Sequence, residues 1–228
     1  MQHITRNDIQ SFNQRYKVQL INSLSGFKSA NLIGTQDGDG KSNLAIISSV
    51  VHLGANPALV GFVMRPDNGE RHTLDNIITS KHYTINQVSA DIYQQAHQCS
   101  ASIPRHESEF IHTGFSAHYV GNIYAPFVKE SHIKYAVKVK EIIPIELNNT
   151  QFIIGEIIHI ICQKKAIQSD GYIDLEAMNS VSVSGLDSYH KSSRLCRLSY
   201  AKPNMPLAQL DVAGKPEQSS DIQGGKPG

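Results

Sequence analysis

Ala30-Asn31-Leu32-Ile33-Gly34-Thr35-Gln36-Asp37-Gly38-Asp39-Gly40-Lys41-Ser42-Asn43-Leu44-Ala45-Ile46-Ile47-Ser48-Ser49-Val50-Val51 reads as two strands around a tight turn. The half-apolar run before Gln36 stops at a cluster of aspartates and glycines, the composition of a hairpin turn. The chain then resumes from Lys41 with apolar residues mixed among small hydroxyl and amide side chains. Such a strand can lie directly under a flat ligand, because its short polar groups offer hydrogen bonds without filling space. Working outward, Ala58-Leu59-Val60-Gly61-Phe62-Val63-Met64 follows Asn56-Pro57 and is almost wholly apolar, which suits a strand buried on both sides. It stops at Arg65-Pro66-Asp67-Asn68-Gly69. Arg71-His72-Thr73 then opens a helix whose apolar Leu74, Ile77 and Ile78 share one face. An arginine and a hydroxyl at a helix start suit a phosphate, since the free N–H groups and the dipole there also favour an anion. Lys81 to Val88 alternates as a further strand.

The order of these pieces resembles the flavin reductase-like family. The resemblance runs from about Asn31 to Ser199 and is carried by Gly40-Lys41-Ser42-Asn43, Ser48-Ser49, Asn56-Pro57-Ala58-Leu59-Val60, Arg71-His72-Thr73-Leu74-Asp75-Asn76-Ile77 and Tyr83-Thr84-Ile85-Asn86. Ser108-Glu109-Phe110, Thr113-Gly114-Phe115, Ala125-Pro126-Phe127-Val128-Lys129-Glu130-Ser131, Phe152 to Ile157 and Gly185 to Tyr189 also look like family blocks. Ala58 stands where the family often has a second proline, and the tail after Pro203 has no counterpart. The resemblance implies a mainly β fold with peripheral helices, a split β-barrel of the Greek-key, FMN-binding type. It further implies FMN as cofactor, NAD(P)H as electron donor, and a homodimer with the flavin near the interface.

On that reading the flavin carries the redox chemistry and the protein binds and orients it, so no catalytic dyad or triad is required. Asn43, Ala45, Ser48 and Ser49 are the expected contacts to the ring edge and ribityl chain. Arg71 and Thr73 are assigned to the phosphate, and Arg65 to the phosphate or the dinucleotide. Lys41 is placed as a charge near the ring edge that favours anionic reduced flavin. No residue is a certain catalyst; His72, His190 and Tyr189 are candidates for the substrate face. Each has a plain structural alternative as strand surface, a solvated helix start or a satisfied surface side chain.

Composition bounds the alternatives. The 228 residues carry 21 basic and 20 acidic side chains, a net charge of +1, with neither a basic stripe for nucleic acid nor a polybasic membrane patch. No apolar run approaches the ~18 residues of a membrane span, and the N-terminus has no signal-like segment, so a cytoplasmic protein is expected. Cys99, Cys162 and Cys196 are odd in number and widely spaced, which reads as reduced thiols, and no Cys/His spacing matches a metal site. Three regions are expected: a helical extension over 1–26, the barrel over 27–202, and a largely flexible tail over 203–228. Asn7 to Leu24 predicts one helix capped by Thr5 or Asn7, with Ile9, Phe12, Tyr16, Leu20 and Ile21 at helical spacing, and one or two short helices are expected between Ser89 and His112. Ile133 to Ile145 predicts a strand ended by Pro144, and the isoleucine-rich run Gln151 to Gln163 predicts a central one. Two other functions share these features: an FMN-binding electron carrier or sensor without NAD(P)H turnover, and a flavin-free barrel acting as an interaction module.

Overall fold

The computed structural model describes residues 1–66, 72–104 and 107–217. Two helices open it, α1 (Arg6–Ser11) and α2 (Gln14–Leu24), where the spacing predicts one. Thr5 and Asp8 form a capping box at the start of α1, and the Asn13 side chain accepts the Tyr16 N–H at 2.9 Å to start α2. Phe12 is extended between them, because a residue that caps a new helix ends the old one. The strands β1 (Lys28–Ser29), β2 (Asn31–Gln36), β3 (Ser42–Ile47), β4 (Val51–Ala55) and β5 (Ala58–Met64) follow. Then come α3 (His72–Ser80), β6 (His82–Gln87), α4 (Tyr93–Gln98), α5 (Glu109–Thr113), β7 (Ala117–His118), β8 (Phe127–Val128), β9 (Ile133–Ile145) and β10 (Thr150–Cys162). Short strands β11 (Val181–Ser184), β12 (Ser188–Lys191), β13 (Arg197–Leu198) and β14 (Gln209–Leu210) complete the chain.

Seven strands form one antiparallel sheet in the order β3-β2-β6-β9-β10-β5-β4. β3 and β4 are neighbours in sequence but stand at opposite ends of that order. Ser49, in the short link between them, is tied to β5: its hydroxyl accepts the Val63 N–H at 3.0 Å and donates to the Val63 carbonyl at 3.1 Å. Because only residues 48–50 join the two end strands, the sheet curls until its ends meet, a split barrel. Ile33, Phe62, Leu74, Ile77, Tyr83, Ile85, Val137 and Ile153 fill its interior. Leu32, Leu44, Val88, Ile92, Phe110 and Val128 form a second core outside it, around α4 and α5. β2 belongs to both, with Ile33 inside and Leu32 outside, so it is buried on both faces.

β10 is central as expected, between β9 and β5. Pro144 does not end β9, which continues to Ile145 opposite Gln151 and Thr150. On its other side β9 pairs with β6 only over 134–138, so Pro144 lies where no partner needs its missing N–H. Gly155 sits beside a register shift in β10, where any Cβ would drive into Val137 and approach the Tyr83 hydroxyl to 2.7 Å. Among the described residues that hydroxyl is buried without a hydrogen-bond partner, and desolvation raises the pKa of Tyr83 and pushes Tyr135 up to about 12.

A strap, residues 125–131, is tied across the barrel by polar side chains. Thr84 donates to the Pro126 carbonyl, Asn86 accepts the Val128 N–H at 2.9 Å, and the buried Lys134 ammonium donates to Val128 and Lys129 carbonyls at 2.8 and 3.0 Å. Burial lowers the Lys134 pKa. Gly34 has no room for a side chain because the Pro126 carbonyl and Thr84 hydroxyl crowd that position. Near the C-terminus, Arg194 pairs with Asp174 and Glu176, and Arg197 pairs with Asp170 while lying 4.3 Å from the Tyr172 ring centre. Of the region expected to be a flexible tail, residues 203–217 turn back so that β14 pairs with β13; residues 218–228 lie outside the described part. Among the described residues no helix is long and apolar enough to cross a membrane.

Candidate functional site

A cleft of about 1140 Å³ opens along β3. Its walls are β3 and the following Ser48 and Ser49, the end of β5 through Arg65, the start of α3, the 97–104 segment with Glu109, and the β11–β12 hairpin with Asp187 and Tyr189. The geometry follows from β3 being a terminal strand. Strands leave every second N–H and C=O pair pointing away from their one partner. Leu44 N–H points away from β2, toward the Glu109 carboxylate at 3.0 Å, and the Ser42 carbonyl accepts the Ser108 hydroxyl at 2.7 Å. By the same alternation, Ile46 carries the next outward pair, and Ile46 lines the cleft.

The inner side of β3 is held by a buried polar lattice. Asn43 Nδ2 donates to Thr73 Oγ1 at 2.9 Å and to Thr35 Oγ1 at 3.3 Å, and Asn76 Nδ2 reaches the same Thr35 oxygen at 3.1 Å. The hairpin is thereby fixed to the first turn of α3, which brings that helix start to the cleft. A ring edge and a phosphate would therefore face parts of one rigid unit.

The structure brings most of the sequence-predicted residues together. Asn43, Ala45, Ser48, Ser49, Arg65, His72, Thr73 and Tyr189 all line the cleft. Their engagements differ from the simple expectation of ligand contacts. Asn43 and Thr73 bond each other, Ser49 is tied to Val63 of β5, and Arg65 donates to Asn22 of α2 at 2.8 Å. Tyr189 lies with its hydroxyl 3.1 Å from His97 Nδ1, and burial raises its pKa, with Asp187 and Cys99 adding to the effect. Lys41 and His190 are not among the lining residues. Lys41 borders a small depression beside the cleft with Asp37 and Glu107, while His190 contacts Ser184 Oγ at 2.8 Å and meets Phe27 edge-on. Arg71 lies outside the described residues.

Sequence reading missed Glu109, His97 and Cys99 as cleft residues. The Ser108-Glu109-Phe110 block was visible, but a carboxylate 65 residues from the strand amide it caps leaves no local trace. Burial pushes the Cys99 thiol up to about 12, the Thr113 hydrogen bond opposes this and nearby Glu109 adds to it, so the thiol is no thiolate at neutral pH. Among the described residues no group of three or more His, Cys, Asp or Glu could hold a metal ion.

Known proteins agree with this architecture. The model of the flavin reductase like domain matches residues 24–175. A split-barrel protein from Shewanella frigidimarina, assigned as a flavin reductase, superposes with a TM-score of 0.86 at 50% identity, covering 88% of this chain and 100% of its own. Component B of nitrilotriacetate monooxygenase from Bacillus cereus has the same fold, with a TM-score of 0.77 at 20% identity over 87% of this chain and 98% of its own. An uncharacterized protein from Halalkalibacterium halodurans is 28% identical over 66% of this chain and 74% of its own length. The matched domain spans the hairpin, the cleft strand and the helix start on which the site is built, and the chain belongs to the flavin reductase-like family of flavin-related oxidoreductases.

Proposed function

We propose that this chain is an FMN-binding oxidoreductase of flavin reductase type, taking hydride from NADH or NADPH and passing the electrons onward. The observation that carries the reading is the outward edge of β3 at Ile46, which lines a cleft whose far end is the start of α3. A flat heterocycle with carbonyl and N–H groups along one edge complements a strand edge as another strand would. A phosphate complements a helix start, where Thr73 and His72 line the cleft and Arg71 is the assigned charged donor. When bound, the flavin supplies a hydride-accepting N5 and delivery of electrons to a further acceptor. The protein's part is to hold the ring against β3, keep the phosphate at α3 and leave one ring face open. The volume supports a second reactant, because single small ligands commonly occupy clefts of roughly 300–1,000 Å³ and this one is larger. Arg65, on the rim, suits the dinucleotide, and the Tyr189 and His97 pair lines the wall for the reactant over the ring.

The working form in this reading is a cytoplasmic homodimer. β4 pairs only with β5, and Val51 and Leu53 on it are exposed, as are Ile158 and Ile160 in the outer half of β10. A second copy is the partner that would cover them.

Titrating flavin-stripped protein into FMN and following fluorescence, then adding NADH or NADPH, tests each step. Saturable quenching with nucleotide oxidation is expected. Quenching without oxidation by either nucleotide would make the chain an electron carrier or sensor, and no quenching would leave the barrel as an interaction module.

A further inference from the structure

Glu109 is a carboxylate 8% exposed in the cleft wall, and its hydrogen-bond partner is the Leu44 N–H at 3.0 Å. It stands on α5, whose next residue, Phe110, is sunk in the outer core, and Thr113 bonds the Glu109 carbonyl at 2.6 Å. Ser108 beside it donates to the Ser42 carbonyl and lies 3.1 Å from the Ser42 hydroxyl. Two side chains thus occupy two successive outward positions of an edge strand, and the helix then turns away. An added strand would have continued along the edge and covered Ile46 too.

We infer that Glu109 is a positioning residue for the bound flavin: with Ser108 it ends the edge pairing of β3 at Ser42 and Leu44, and so fixes the outward N–H and C=O of Ile46 to receive the ring. The inference rests on the flavin reading above and adds to it a residue that acts through the strand.

The test combines FMN affinity with hydrogen exchange at the Ile46 amide, in wild type, Glu109→Gln, Glu109→Ala and Glu109→Asp. Gln keeps an acceptor at the same reach; Asp keeps the charge but withdraws it by one methylene. Wild type and Glu109→Gln are expected to bind FMN within about threefold of each other, while Ala and Asp lose about tenfold or more, the size of one lost hydrogen bond. At saturating FMN the Ile46 amide is protected in wild type and Gln and not in Ala or Asp, with Ile85 and Ile153 unchanged in all four. A general loosening of the barrel would instead raise exchange at Ile85 and Ile153 and would overturn the inference. So would wild-type affinity and Ile46 protection in Ala and Asp, or a failure of Gln to match wild type. Asp keeps the test standing if Ala does not fold. If wild type itself binds no FMN, the flavin reading falls and takes this inference with it; if wild type binds and the variants do not differ, the inference alone falls.

Discussion

The two ends of the seven-stranded sheet meet the same problem and solve it differently. β3 and β4 each have one strand neighbour and so one row of unpaired backbone groups. At β3 the row is divided: Ser108 and Glu109 close part of it, and the rest faces a cleft. At β4 no strand among the described residues covers the row, and Val51 and Leu53 are exposed. In the proposed reading one edge takes a small flat ligand and the other a second copy of the chain. The short link that joins them is tied to β5 by Ser49 on Val63.

The largest expected effect tests the two cores between these ends, through Cys99 in the outer one and Tyr135 against the barrel interior. Cys99 ionises near 9 when unfolded and near 12 when folded, and Tyr135 shifts from 10 to about 12. Both folded values are raised, so between about pH 9 and 12 the unfolded chain has lost protons that the native one retains. The stabilisation is complete below pH 9 and is lost as pH rises, by about 1.4 kcal/mol per unit from pH 9 for Cys99 and from pH 10 for Tyr135. Urea midpoints at pH 8 to 11 should fall steadily beyond pH 9; a flat profile would mean these groups are not enclosed as described.

Next comes the open edge. Val51→Lys with Leu53→Lys is expected to raise the dimer dissociation constant about a hundredfold, ~3 kcal/mol, read by sedimentation velocity. A wild-type chain that sediments as a monomer, or a doubly substituted one that still pairs, would remove β4 from the comparison. Ser49→Ala tests the link: leaving the Val63 N–H and carbonyl without their partner should cost about 1–3 kcal/mol in denaturant unfolding. An unchanged midpoint would show that the link is held by something else. The smallest effect is at Tyr83→Phe, which removes an unpartnered buried hydroxyl and should leave stability unchanged or raise it by up to about 1 kcal/mol. A clear loss would reveal a partner for that oxygen and a tighter wall than described.

Local chemistry made much of this legible. The Asp/Gly turn, the all-apolar run at 58–64 and the periodicity of α3 fix neighbours in sequence, and each was readable. What escaped depends on partners far apart in the chain. Pro144 breaks a strand in isolation but is harmless where β6 has ended, a fact about the neighbour. Asn13 ends one helix by starting another, which the spacing of Ile9, Phe12 and Tyr16 masks. In the site, small polar residues on β3 suggest a ligand-facing strand and do line the cleft, yet Asn43 and Ser49 are bonded to Thr73 and to Val63, so several of those polar groups brace it. Glu109 enters only through tertiary contact.

Lys134 gives the strap a use at the bench. An ammonium enclosed by the Val128 and Lys129 carbonyls is hidden from amine-directed reagents as long as residues 125–131 stay seated. Its labelling rate, compared with that of exposed lysines such as Lys202 in the same sample, would clock the lifting of one segment, turning a structural tie into a native reporter of local opening.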